Sequence, residues 1–148
     1  MKVEVREVSV ILSFRQKQAE KKVHFEKTIL KWLPVKEIEK EIEQNFYIFF
    51  IEKQTKWPIV VELCFEIAIE SYLLGASFSR LGYYGMPFIE IKERSIYKEA
   101  LLIEDLYDYL MFLQPSGNSV LYENCREFVS GYFDKGYQNG KKRYKLKM

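Results

Sequence analysis

Residues 58–85 read PIVVELCFEIAIESYLLGASFSRLGYYG, the longest apolar run in the chain and the one whose period decides the fold. Proline is tolerated in the first turn of a helix, so Pro58 marks a start just after Trp57. At the other end Gly82 or Gly85 can take the left-handed conformation that closes a helix, and Pro87 blocks continuation. Stepping about 100° per residue puts Glu62, Glu66, Glu70, Ser77 and Arg80 inside an arc of roughly 80° and leaves nearly every other position apolar or small. A helix with one narrow polar stripe is buried on most sides. The run is therefore predicted to be the central helix, near 58–81, of an all-α bundle.

The same projection brings Cys64, Ala68, Ser71, Gly75 and Ser79 onto a second stripe about 80° wide, made only of small side chains. Gly75 costs roughly 1 kcal/mol against alanine inside a helix, so a packing reason is expected for it. Two readings stay open: a tight helix–helix crossing within one chain, or a self-complementary dimer seam about a two-fold axis.

Working outward, residues 3–12 are valine-rich with an alternation that changes phase between Val5 and Val8, which suggests an extended arm over 1–12. From Phe14 the period turns helical, and Phe25, Ile29, Trp32 and Leu33 share a face before Pro34 breaks it. A second helix is predicted over roughly 35–53, with Val35, Ile38, Ile42, Phe46 and Phe49 on one face; its end, FYIFFI, is apolar all round. The short connection at 54–57 favours an antiparallel pair with the central helix. FIEIKERS alternates and reads as extended. Helical spacing returns over 96–113, QPSGN reads as a loop with Asn118 or Ser119 as N-cap, and a last amphipathic helix is expected over about 119–136. Gly136 and Gly140 are read as its stop, and residues 140–148 as a basic tail that also allows a short strand. The expectation is one domain over 1–148, with about five helices.

Hydrophobic residues make up 48% of the 148, which excludes disorder for the chain as a whole. Net charge is +2, spread unevenly: +3 over residues 1–56, −5 over 57–115 and +4 over 116–148. An acidic middle between basic ends implies internal pairing first and polyanion binding second. Cys64 and Cys125 have no C-x-x-C spacing and read as buried thiols of a reducing compartment. Charges interrupt MKVEVREVSV where a secretory signal needs an apolar core, and Glu62, Glu66 and Glu70 rule the central run out as a membrane span. The expected location is cytoplasmic.

For chemistry the pattern is sparse. Carboxylate-bundle metal sites need more ligands than the Glu62, Glu66 and Glu70 stripe offers, typically Glu-x-x-His pairs on other helices, so neither metal nor cofactor is expected. His24 is the lone histidine and no serine lies in G-x-S-x-G, so no catalytic residue is assigned. Gly82-Tyr83-Tyr84-Gly85 lacks the layout that cradles phosphate. Arg80, Tyr83 and Tyr84, with Tyr137, can line a polar pocket together with Glu62, Glu66 and Glu70. Lys141, Lys142, Arg143, Lys145 and Lys147, with Tyr144, form a candidate polyanion contact.

The segment IAIESYLLGASFSRLGYYG, with the opening SFRQKQAEKKVHFEKTIL and the ending GYQNGKKRYKLK, resembles a small family of uncharacterised cytosolic proteins from Bacillus-type spore-forming bacteria. The resemblance runs along nearly the whole chain, and SYLLG…RLGYYG is its most distinctive block. It implies a bacterial, intracellular, stand-alone domain, with no assigned activity or catalytic residues to carry over. The reading is a non-enzymatic interaction or regulatory domain whose partner is protein, itself or another; the alternatives are a weak nucleic-acid binder and a small-ligand-binding bundle.

Overall fold

A computed structural model of the chain describes residues 2–115 and 119–146. Five α-helices account for most of it: α1 (Lys2–Leu30), α2 (Val35–Phe46), α3 (Trp57–Tyr83), α4 (Phe88–Leu113) and α5 (Ser119–Leu146), with a 3-10 segment, Tyr47–Lys56, between α2 and α3. No strand occurs among the described residues, so the fold is all-α. The chain divides into two compact units, residues 1–33 and 34–148, and the break coincides with Pro34.

The first unit is α1 and its closing turn, where Trp32 N–H donates to the Ile29 carbonyl and Leu33 N–H to that of Leu30, both at 3.1 Å. The extended arm expected over 1–12 is corrected here: residues 2–12 are the first turns of α1. β-branched residues disfavour a helix by only tenths of a kcal/mol each, and a period-2 run that changes phase offers no single face to a sheet.

In the second unit α3 is central, with α2, α4 and α5 all packed against it. It carries Pro58 in its first turn. It ends in a Schellman motif: Met86 N–H donates to the Leu81 carbonyl (3.0 Å), Gly85 N–H to that of Gly82 (3.1 Å), and Gly85 sits at φ +108°. α5 runs parallel to α3, because Gly75 meets Phe133, Ser79 meets Gly140 and Tyr83 meets Tyr144, in ascending order on both helices. α4 runs antiparallel to α5, through Phe88–Tyr137 (ring centroids 5.0 Å) at one end and Tyr107–Tyr122 (5.2 Å) at the other. α2 is antiparallel as well, with Phe46 on Phe128 (5.4 Å) and Glu41 on Tyr132.

The four helices alternate in direction, and in such an arrangement each parallel pair, α3 with α5 and α2 with α4, lies on a diagonal. Here α3 and α5 are in backbone contact. A Cβ on Gly75 would collide with the carbonyl of Phe133, one on Gly136 with that of Tyr72, and one on Gly140 with Ser79 Oγ. α2 and α4 occupy the opposite flanks of that pair.

Three further expectations are corrected. Gly136 and Gly140 do not stop α5, which continues to Leu146, so no strand forms from the basic end. Both are buried, and the Cβ they lack would meet α3, at the Tyr72 backbone for Gly136 and at the Ser79 side chain for Gly140. FIEIKERS is not extended: Pro87 precedes the first turn of α4, and Ile91, Ser95, Glu99, Ile103, Leu106 and Leu110 form a helical stripe. The second helix is α-helical only to Phe46, after which the chain tightens into the 3-10 segment with a non-helical residue at Lys53 (φ −127°, ψ 54°). That change seats Phe50 in the core and on Trp57 (6.3 Å) while Ile48 and Ile51 face water. The candidate cap Asn118 lies outside the described residues.

Gly75→Ala and Gly136→Ala are expected to lower stability by about 1–3 kcal/mol each, because a backbone cannot give way as a side chain can. Gly131, with nothing within 4 Å of an added Cβ, is the internal control. Gly131→Ala should gain up to about 1 kcal/mol of helix propensity. Chemical denaturation of the three variants, read as a shift in midpoint at constant slope, checks all of these.

Candidate functional site

The small-residue stripe lies on the α5 side of α3: Cys64, Ala68, Ser71, Gly75 and Ser79 are all buried. The two hydroxyls are satisfied by their own helix, Ser71 Oγ donating to the Ile67 carbonyl (2.7 Å) and Ser79 Oγ to that of Ala76 (2.6 Å). With α5 of the same chain seated there, the stripe has no room for a second copy. Burial pushes the Cys125 thiol up to about 12, and Cys64 is raised by burial first and by the neighbouring Cys125 second. Both thiols are therefore held protonated at neutral pH.

Glu62, Glu66 and Glu70 are exposed along α3. Arg80 lies ten residues beyond Glu70, about 15 Å along the axis at 1.5 Å per residue, so the glutamate stripe and the tyrosine cluster are separate surfaces. Among the described residues no group of three His, Cys, Asp or Glu could hold a metal ion.

Arg80, Tyr83 and Tyr84 do come together. Tyr84 packs edge-on against Tyr83 (5.2 Å), the Arg80 guanidinium lies 6.0 Å from the Tyr84 ring, and Tyr83 stacks with Tyr144 of α5 (5.8 Å). Tyr137 is not part of this surface: it is buried beneath Gly82 and against Phe88. Lys141, Lys142, Arg143 and Lys145 belong to the last turns of α5, where cations complement the partial negative charge of a helix C-terminus. Lys141 Nζ lies 5.5 Å over the Tyr137 ring. Lys147 lies outside the described residues.

Two polar networks went unread in the sequence. On α4, Lys92 Nζ donates to Glu99 Oε1 (2.5 Å) and Ser95 Oγ to Glu99 Oε2 (2.9 Å), with Glu99 only 7% exposed. Lys92 also reaches Asp134 of α5 (3.8 Å) and sits 4.4 Å over the Phe133 ring. Asp134 Oδ1 is buried and accepts no hydrogen bond, although the side chain as a whole is 49% exposed. Burial raises its pKa above the usual 3.8, with Lys92 pulling it down and Glu99 pushing it up. On the other flank, Tyr132 Oη donates to Glu41 Oε2 (2.5 Å) and Lys135 Nζ to Glu41 Oε1 (3.0 Å), with Glu37 3.5 Å away. Burial and this acceptor both raise the Tyr132 hydroxyl. The signal for the first network was present: Ser95 and Glu99 fall in phase with Ile91 and Ile103, polar groups on an apolar stripe. It was hidden by reading the start of α4 as extended.

A third feature is the outer face of α4. Tyr97 and Phe112 are each 82% exposed and Leu101 60%, in line at helical spacing, with Tyr109 beside them and Glu104, Asp105 and Asp108 interspersed. An open groove there is lined by Asp105, Asp108, Tyr109 and Phe112. The α4 end itself is tied down, since Lys56 Nζ donates to the Leu113 carbonyl (2.9 Å).

The Asp134 shift has a definite sign. A carboxyl raised on folding contributes stability that is present at low pH and lost as pH rises through its folded value. Asp134→Asn should therefore stabilise the protein at pH 7, with the gain disappearing below about pH 4, where the wild-type group is itself neutral. Lys92→Met removes the ammonium from a buried glutamate and should cost on the order of 2 kcal/mol at pH 7. Thermal melts from pH 3 to about pH 8 test both.

No helix among the described residues is long and apolar enough to cross a membrane. No solved structure matches the chain. The uncharacterized protein YbaK of Bacillus subtilis (strain 168) is 31% identical over 144 residues, covering 93% of this chain and 97% of its own. A family model described as a protein of unknown function, DUF2521, matches residues 8–148. By that match and that relative, the chain belongs to the DUF2521 family.

Proposed function

We propose that this chain is a non-enzymatic protein-interaction or regulatory domain whose partner docks on the outer face of α4. The observation that carries the reading is the line Tyr97, Leu101 and Phe112, three large apolar side chains left in water on a helix whose other face is fully used in the core. Apolar side chains of this size, with Tyr109 beside them and acids between, match the aromatic-rich composition of contact surfaces. The acids among the three residues give such a contact charge selectivity: a partner would need apolar anchors and cations at helical spacing. The part-buried polar groups of the second unit, by contrast, join α5 to α2 and α3 by hydrogen bonds and to α4 by the Lys92–Asp134 ion pair, and support the bundle.

The test is capture from an extract of the host with the tagged chain, in the presence of nuclease and added salt. Burial of one such side chain is worth about 1.5–3 kcal/mol, so Leu101→Glu and Phe112→Glu should each reduce retention of the partner at least about tenfold. A partner retained equally by both variants, with helix content unchanged, removes α4 from the contact.

A second reading rests on the other end of the bundle, where Arg80 and the exposed Tyr84 sit beside Tyr83, Tyr144 and the cations of α5. Aromatic faces beside cations suit weak, salt-sensitive binding of single-stranded nucleic acid. Arg80→Ala with Lys142→Ala and Lys145→Ala should then abolish retention of a single-stranded oligonucleotide at low salt. Undiminished retention discards this reading.

A further inference from the structure

Cys64 and Cys125 hold matching places on α3 and α5. Gly75 meets the Phe133 backbone and Gly136 that of Tyr72, the reciprocal contact on which the two helices close. Cys64 precedes Gly75 by eleven residues, and Cys125 precedes Gly136 by eleven. That spacing is within roughly 20° of three whole turns, so each cysteine falls on the same strip of its helix as the glycine. The register of the pair agrees. Ser79 meets Gly140 and Tyr83 meets Tyr144, each 61 residues further along the chain, and Cys64 and Cys125 are also 61 residues apart. Ala68 and Val129, at the same offset between the cysteines and the glycines, are compact and fully buried. Both cysteines are fully buried and free, and a charge on Cys125 would oppose ionisation of Cys64, which makes the two sulfurs neighbours.

A disulfide needs Cα atoms about 4.4–6.8 Å apart, which most helix pairs, with axes about 8–10 Å apart, do not offer. Parallel helices that meet backbone to backbone along facing strips do offer it. We infer that Cys64 and Cys125 are a peroxide-oxidisable pair, which closes to a disulfide joining α3 to α5 within one chain.

At rest the pair is silent, because burial holds both thiols protonated. Cys125 lies within the first two turns of α5, and helix ends open locally far more readily than helix centres. Opening there brings the thiol to water, where it ionises nearer its ordinary value. The thiolate attacks one oxygen of hydrogen peroxide: the S–O bond forms, the O–O bond breaks, and the departing hydroxide takes up the thiol's proton as water. Reclosing sets the sulfenic sulfur against Cys64. The Cys64 sulfur attacks it, the S–S bond forms, the S–O bond breaks, and the Cys64 proton leaves with the hydroxyl as a second water. The two thiols together lose two electrons, and one peroxide gains them. The product ties the two helices together and closes a loop of about 60 residues in the unfolded chain, which raises stability. In a reducing compartment such a bond is transient, formed under oxidant and reversed by thiols.

The test exposes the full chain to millimolar hydrogen peroxide at about pH 8, then denatures it and blocks free thiols with an alkylating reagent. Both blockable thiols should be lost, with a fall of about 2 Da in the mass of a single chain. Peptide mapping without reductant should join the peptides that hold Cys64 and Cys125. The thermal midpoint of the oxidised protein should rise by about 5–15 °C, with helix content unchanged by circular dichroism, and return to its starting value with dithiothreitol. Cys64→Ala and Cys125→Ala should show neither the link nor the rise. Should a variant fail to fold, the wild-type map and midpoint decide by themselves. The inference is overturned by a wild type that keeps both thiols after a day of exposure, or that passes to sulfinic acid with no link. It is equally overturned by a bond that joins two chains, that forms only in denaturant, or that lowers the midpoint, since each would mean that the folded helices do not set the two sulfurs within bonding reach.

Discussion

Gly75 and Gly136 each lie against the backbone of the facing helix, one over Phe133 and the other over Tyr72, and the geometry of the second unit depends on that mutual contact. Three residues separate each glycine from the position its counterpart meets, so the contact is reciprocal. Helices that touch through glycine approach more closely than those separated by larger side chains, and Ala68, Ser71, Ala76 and Ser79 extend the smooth strip. The consequence is architectural. Two parallel helices that would ordinarily face each other across a bundle core become its spine, and α2 and α4 are left to fill the two flanks.

Those flanks carry most of the bulk. Phe46, Phe128 and Tyr132 stack edge-to-face on the α2 side, while Ile91, Phe133 and Tyr137 with Leu74, Phe78 and Met86 make the core on the α4 side. Each flank also carries a charged group reaching from α5: Lys135 and Tyr132 to Glu41 on one, Asp134 toward Lys92 on the other. Ion pairs of this kind add little net stability against apolar replacements, but an unpaired charge in the same place is expensive.

The use of α4 is two-sided. Its inner stripe, from Ile91 to Leu110, is buried, and its outer line of Tyr97, Leu101 and Phe112 is not, although the side chains are of the same apolar character. Nothing in the bundle requires large aromatics on that outer side. The acids between them keep the face soluble and restrict what can settle on it, which is the combination that the docking proposal uses.

Much of this was legible in the residues by themselves. The helical period of 58–81, Pro58 at its start, a closing glycine at Gly82 or Gly85 and the break at Pro34 are local facts, written in backbone sterics and in spacing that needs no partner to be recognised; the fold gave the closing role to Gly85. The clustering of Arg80, Tyr83 and Tyr84 followed from the same short range. What the chain order could not convey was which helix lay opposite which. Gly136 and Gly140 look like stops until α3 is set against them, and residues 88–95 look extended until Ile91, Ser95 and Glu99 are seen to share a buried face. Tyr144 and Asp134 acquired their neighbours from elements about 60 and 40 residues away. Local sterics and hydrophobic period decide where a helix is. Packing complementarity between distant surfaces decides what it touches, and that is a property of the tertiary structure.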